Sequence, residues 1–445
     1  MRLTHTLALL CLLLAAPLAA QQELMLNTLP ELWHSNTLNP AFFPSEKKIA
    51  IGLPGISLDA GHSGDVTYRD IFVKKGDQTE INFGNAIDKL EAQNDLFFDQ
   101  RIETISLGLR LSKRLAIHAG HANRFTGTMS YPKSLPELIW KGNAPFIGQT
   151  VQVAPRAAIF DWNEWSAGAT LQLGGISLGG RFKLLSGAGA LRTDAARQSA
   201  SIYTDPDIYQ LTMNTDYAFH SSGLVSAFDT SGLGFDIDVA KVKGQLFSKN
   251  TGAAFDLGIQ IKLSDKLSLS ASALDLGGKI NWTENANYYH SQGKYEYDGV
   301  TFPGTDIING FDSLDFDTKL DTLNDIFQFK KTPQQFSTQL PARYYLGAQF
   351  KITERWQLAL SALIQDMPDR QNVAVGASVR WQIVRWLSLG AMYSLNDRSA
   401  ANLGFHTALK IGPGQLYFTS DNLLNAFSVK NSPAVNLRAG AALVF

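Results

Sequence analysis

Eight basic residues, Arg110, Arg181, Lys183, Lys262, Lys351, Arg380, Lys410 and Arg438, each interrupt a face otherwise made of small or polar residues. Cations gathered in a confined space can hold an anionic group, such as a fatty-acid or lipid headgroup, or bias a pore toward anions. They can equally pair with carboxylates from loops or from an internal segment, because buried like charges are costly unless paired or hydrated. Other chemistry is thinly represented. The stretch GHSGD (61–65) places Asp65 where a nucleophile elbow requires Gly. His118 and His121 lie three apart on a strand pattern and so point to opposite faces. His220, His290 and His406 show no ligand spacing. No catalytic, metal or cofactor-binding set is expected, and no enzyme activity.

The elements that carry these cations alternate with a period of two. In NVAVGASVRWQI, Val373, Val375, Ala377, Val379, Trp381 and Ile383 share one face, and Arg380 lies on the other. Ile105, Leu107, Leu109 and Leu111 oppose Arg110. Phe255, Leu257, Ile259 and Ile261 oppose Asp256 and Lys262. Tyr344, Leu346, Ala348, Phe350 and Ile352 oppose Lys351, and Leu403, Phe405, Leu409 and Ile411 oppose Lys410. Each segment runs for about 10 residues, the length of a tilted strand crossing a bilayer. Tight connectors (LSKRL, LSDKL, ITERW, IVRWL, IGPGQ) alternate with longer polar ones (QDMPDRQ, NDRSA, NAFSVKNSP). That rhythm is expected of an outer-membrane barrel with short periplasmic turns and longer outer loops.

An exported β-sandwich or propeller would also alternate, but its wet face would be rich in Lys, Glu and Thr. Here that face holds Gly, Ser, Ala, Asn and Gln with isolated cations, as a confined lumen would. Net charge is −1, only 18% of residues are charged, and Phe, Tyr and Trp number 26, 13 and 8. No basic cluster suggests nucleic acid. No run of about 20 apolar residues follows the N-terminus, which excludes helical spans. Trp356, Trp381 and Trp386 fall beside the tight turns and are expected to form a periplasmic aromatic girdle.

The ends carry signals. Residues 1–20 read as a secretory signal peptide, with basic Arg2, an apolar run from Leu7 and small residues before Gln21. The single cysteine, Cys11, lies within it, so the mature chain is expected to hold no disulfide. At the other end, Arg438-x-Gly440-x-x-Leu443-x-Phe445 resembles the C-terminal insertion signal that assembly machinery reads in outer-membrane barrels. Residues 21–45 lack alternation. Their two prolines in SNTLNPAFFP exclude a strand interior, and the segment is expected inside or beneath the barrel. Residues 46–445 form the barrel, with 277–340 its largest insertion. Short helices are expected at 85–95, at 134–143 and near 321–329. Counting back from Phe445 gives 14–16 strands.

LWHSNTLNPAFFP, GNAPFIG, WNEWSAGATLQLGGISLGGRFKLLSG and LPARYYLGAQFK resemble an uncharacterised family of outer-membrane barrels from Bacteroidetes. More remotely they are similar to the fatty-acid transporter superfamily, which includes the barrel that shuttles cargo in type IX secretion. The resemblance implies about 14 antiparallel strands (range 12–16) and an internal N-terminal segment around Asn39, Pro40, Ala41 and Phe42. It implies a Gram-negative outer membrane, with membrane lipid and the barrel-assembly machinery as partners. The expected function is passive transport of small hydrophobic or amphipathic molecules. The alternative is a plugged, non-transporting platform for a secreted or surface protein.

Overall fold

Alternation sets the strands, and their pairing closes them into a ring. The computed structural model describes residues 23–44, 47–63, 66–75, 78–81, 83–223, 226–229, 232–234, 246–297, 327–367, 370–396, 399–422 and 434–445. The 1–20 segment, Cys11 and most of the 321–329 helix expectation lie outside them. Fourteen strands surround the lumen: β1 Ile49–His62, β2 Gln93–Arg110, β3 Leu115–Pro132, β4 Arg156–Leu173, β5 Ile176–Thr204, β6 Thr251–Lys262 and β7 Leu267–Trp282, then β8 Ala342–Lys351, β9 Trp356–Met367, β10 Arg370–Val384, β11 Leu387–Asn396, β12 Ser399–Ile411, β13 Gly414–Ser420 and β14 Ala434–Val444. Each pairs antiparallel with its neighbours, and β14 pairs with β1, so the sheet has no open edge around the ring. Among the described residues no helix is long and apolar enough to cross a membrane.

Three of the tight turns share one device. Ser112 Oγ accepts the N–H groups of Arg114 and Leu115, and Ser264 Oγ those of Lys266 and Leu267. Thr353 Oγ1 accepts those of Arg355 and Trp356. A short hydroxyl side chain thus replaces a backbone partner in each bend. The β4–β5 and β12–β13 turns instead use Gly174 and Gly412, both at φ 58°, where a side chain would be strained.

Three segments depart from the expected pattern. The strand beginning at Ile176 runs 29 residues. Its far part leaves the ring and pairs with Leu211–Gly223, which in turn pairs with Asn287–Tyr297. Within 277–340, the start extends β7 to Trp282, and Phe336–Gln339 pairs with that extension. The helix expected at 85–95 ends at Asp88, and Gln93 already belongs to β2. Tyr131 and Pro132 of β3 lie opposite Asn94 and Gln93, so tertiary pairing overrides a polar local sequence there.

The outward face is apolar all round. Leu107, Leu184, Leu257, Leu346 and Leu360 are all more than half exposed. A soluble protein keeps contiguous apolar patches to a few hundred Å². A complete belt is a surface made for hydrocarbon. Replacing Leu360, on the belt at β9, therefore gives a direct test. L360R should destabilise the barrel by about 2–4 kcal/mol in lipid bilayers if it faces the midplane. Urea titration of vesicle-refolded protein measures it; in water a side chain that exposed would be nearly indifferent to the change.

Candidate functional site: the plugged lumen

Residues 23–44 thread the interior, and the wall is shaped to receive them. Leu24, Met25, Leu26, Leu29, Leu32 and Leu38 are at most 2% exposed. They pack on inward-facing Leu274, Tyr345, Leu363, Ala374, Met392 and Tyr417. The segment begins with one helical turn, Leu24–Asn27. Asp421, just beyond β13, caps it, accepting Leu24 N–H at 2.8 Å and Met25 N–H at 2.9 Å. Asn27 Nδ2 donates to Ser361 Oγ and to Leu346 O.

The Asn39–Phe42 stretch is a turn. Phe42 N–H donates to Asn39 O at 2.9 Å, and Ala41 N–H donates to Asn39 Oδ1 at 2.9 Å. Pro40 presets the backbone for such a bend. The turn is anchored outward by Asn39 Nδ2 to Ile259 O and Ala271 O, both 3.2 Å, and by Thr170 Oγ1 to Pro40 O at 2.8 Å. The wall opposite is glycine. A Cβ at Gly179 would lie 2.1 Å from Pro40 C, and one at Gly258 2.1 Å from Asn39 Oδ1.

Charges hold the segment and fill the rest of the lumen. Arg438 is 3% exposed and forms ion pairs with Glu23 of the segment and Glu103 of β2. It also donates to Thr37 Oγ1 and Tyr417 Oη. Glu31 pairs with Arg380 and lies 3.7 Å from Lys410. Arg181 bonds Asp256 at 2.8 Å and the carbonyls of Asn36 and Thr37 at 3.1 Å. Beyond the segment stands a second knot. Asp275 accepts from Lys183 at 2.7 Å, Arg343 at 2.8 Å and Arg124 at 3.0 Å. Arg101 links the two, bonding Glu103 at 3.3 Å and Glu164 at 3.2 Å.

The structure therefore separates the eight cations. Arg181, Lys183, Arg380, Lys410 and Arg438 each have a carboxylate within 4 Å. Arg110 donates to the carbonyls of Pro44 and Lys47, where the segment leaves the lumen. Lys262 and Lys351 are exposed beside the tight turns. Trp356, Trp381 and Trp386 are 40, 41 and 49% exposed at that same end, and the first two rings stack at 5.4 Å. Phe445 O accepts Lys48 N–H, Leu443 pairs with Ile51, and Gly440 faces the segment. Of the other residues weighed, His118 faces inward near Arg181, while His121 packs outward against Trp165 at 4.3 Å. Asp65 lies outside the described residues. No group of three or more metal-ligating side chains converges among the described residues.

Sequence reasoning missed the carboxylates Glu103, Glu164 and Asp275. Glu164 was legible, since it shares parity with inward Thr170 on β4. The other two were hidden by backbone irregularities. A bulge at Thr104 shifts the β2–β3 register and turns Glu103 inward. Asp275 has φ 59°, a left-handed residue within a bulge on β7, and it too is turned inward.

A cavity of about 30 Å³ remains between Trp33, Asn36 and Thr37 of the segment and Ser106, His118 and Ser166 of the wall, room for a water. The fit of the segment should depend on pH. Burial pushes the Glu31 carboxyl up, but Arg380 and Lys410 outweigh it and hold it at about 2, below the ordinary 4.5. A depressed carboxylate stabilises docking above its ordinary value, and that contribution is lost as pH falls from 4.5 toward 2. Limited proteolysis should find the segment protected at neutral pH and increasingly cut in that acid window. An E31Q protein should show a smaller change across that window, the ion pair of Glu23 with Arg438 supplying the rest.

Comparison with known proteins adds the following. No curated protein matches the chain. Among solved structures it is similar to a deletion mutant of the TodX monoaromatic hydrocarbon channel (11% identity, TM-score 0.46, covering 92% of this chain and 94% of that one). It is also similar to a Pseudomonas aeruginosa FadL homologue (12% identity, TM-score 0.43, 91% of each chain). The P. putida toluene transporter TodX gives 12% identity, TM-score 0.43 and 92% of each chain. At such scores these likenesses carry no functional weight. The model of a family of unknown function, DUF5723, matches residues 40–421, and the chain belongs to that family.

Proposed function

We propose that this is an outer-membrane barrel that passes small apolar or amphipathic molecules passively and is held shut by its own N-terminal segment. The observation that carries the reading is the lining beneath that segment. Leu274, Leu363, Ala374 and Met392 face inward in a lumen whose other inward positions are mostly polar. Displacing the segment would uncover an apolar track. Its attachments are ion pairs, hydrogen bonds and packing, all reversible. Transport down a gradient needs no more chemistry than this.

Uptake of a fluorescent fatty acid into proteoliposomes tests the proposal, comparing wild type with an E23Q/E31Q variant. Proteolysis reports independently whether the segment is loosened. The expected result is slow uptake by wild type and a severalfold faster rate in the variant. A folded variant with a demonstrably loosened segment and no faster uptake would overturn it. That outcome would favour the plugged, non-transporting platform.

A further inference from the structure

We infer that Trp33–Thr37 is an internal clamp that holds the first and last strands of the barrel together. This does not depend on the transport reading. The β1–β14 seam is where the ring must close, and its ladder is broken there. Gly52 pairs with Ala442 and Gly55 with Gly440, so Leu53 and Pro54 stand against one residue, Ala441. The β1–β2 register skips Leu53 and Pro54 as well. Pro54 has no N–H to offer either neighbour. On its other side β14 has a short partner, because the β13 pairing stops at Arg438.

The 3-10 turn Trp33–Thr37 lies behind this break and touches four consecutive strands. Trp33 N–H donates to Gln415 Oε1 of β13 at 3.1 Å, and Trp33 Nε1 donates to Ser106 Oγ of β2 at 2.7 Å. Thr37 Oγ1 accepts from Arg438 of β14 at 3.0 Å. His34 Nε2 lies 3.4 Å from Leu53 O of β1, the carbonyl at the break, and 3.6 Å from Glu103 of β2. The wall is hollowed to admit it. Gly55 and Gly440 oppose each other across the seam, and a Cβ on either would lie 3.2 or 3.1 Å from His34 Nε2. Gly52 and Gly108 likewise leave room for the Trp33 ring. Arg438 and Gly440, which the C-terminal pattern singles out, thus also form the socket for this turn.

The test separates a seam clamp from ordinary packing. H34A and, separately, G440V are made in full-length C11S protein. Each is combined with a disulfide across the seam (L58C/L437C) or one between β9 and β10 (L360C/A377C). Both are directly opposed pairs on the outward face, within disulfide reach. The readout is the temperature at which the folded, fast-migrating gel band is lost, reduced and oxidised. Each shift is compared with that of the same disulfide in the His34, Gly440 background. The expected result is a downward shift for both variants that collapses when the seam disulfide forms and persists in full with the other. Should either variant fail to fold when reduced, recovery by the seam disulfide alone carries the same meaning. Equal shifts with both disulfides, or no shift at all, would overturn the inference.

Discussion

R438M should lose the folded barrel at a much lower urea concentration than wild type, by about 3–5 kcal/mol. Arg438 is buried between Glu23 and Glu103. Truncating it strands Glu23 out of water with no cation and leaves buried Glu103 with Arg101 alone. The loss should be largely reversible from the other side. In R438M/E23Q/E103Q both stranded carboxylates are gone and Arg101 keeps its pair with Glu164, and replacing a buried ionic group by neutral ones is often close to neutral in stability. Recovery of most of the loss in the triple variant would show that the damage lies in the stranded charges. A triple variant as unstable as R438M would show instead that Arg438 acts through its hydrogen bonds to Tyr417 and Thr37. Detergent refolding of purified chains is the assay of choice, because it bypasses any cellular reading of the C-terminal residues.

D275A should be comparably severe. Asp275 is 1% exposed and receives three cations, Lys183, Arg343 and Arg124. Its backbone N–H also donates to Asp256 at 2.8 Å. Alanine removes the acceptor of all three and must hold a left-handed conformation that Asp tolerates better. A loss of about 3–5 kcal/mol is expected. D275N keeps the backbone preference and part of the hydrogen bonding, so its midpoint should lie between those of D275A and wild type. Equal midpoints for all three would mean that Glu164 and Asp256 alone balance the knot.

Neither prediction follows from the pattern of residues along the chain. Both carboxylates that matter most sit one irregularity away from where alternation places them. Counting by twos from Ile105 puts Glu103 on the lipid side, and counting from Ala273 does the same for Asp275. One extra residue at Thr104 and one left-handed residue at Asp275 invert the parity locally. Sequence parity therefore finds the cations on the lumen face and misses most of the acids that neutralise them. The prolines and lack of alternation placed the segment around Asn39 inside or beneath the barrel; the structure puts it inside, bonded to β6 and β7. The glycine sockets that receive it come from strands more than a hundred residues away, and nothing local marks Gly179 or Gly258 as anything but strand glycines.

What the residue order determined alone is the ring. A period of two with one greasy face, broken by Ser, Thr or Gly turns, can satisfy its backbone in hydrocarbon only by closing on itself. That is why a closed barrel of 14–16 strands, its lipid-facing leucines and the turn-end tryptophans were legible from spacing, whereas the count of fourteen was implied by the family resemblance and fixed by the strand pairing. Only the tertiary structure decided which inward charges meet. Those pairs join residues up to 415 positions apart, and ion pairing depends on ångström-scale distance within a dry lumen. A one-residue bulge changes that distance without leaving any mark in composition or hydropathy.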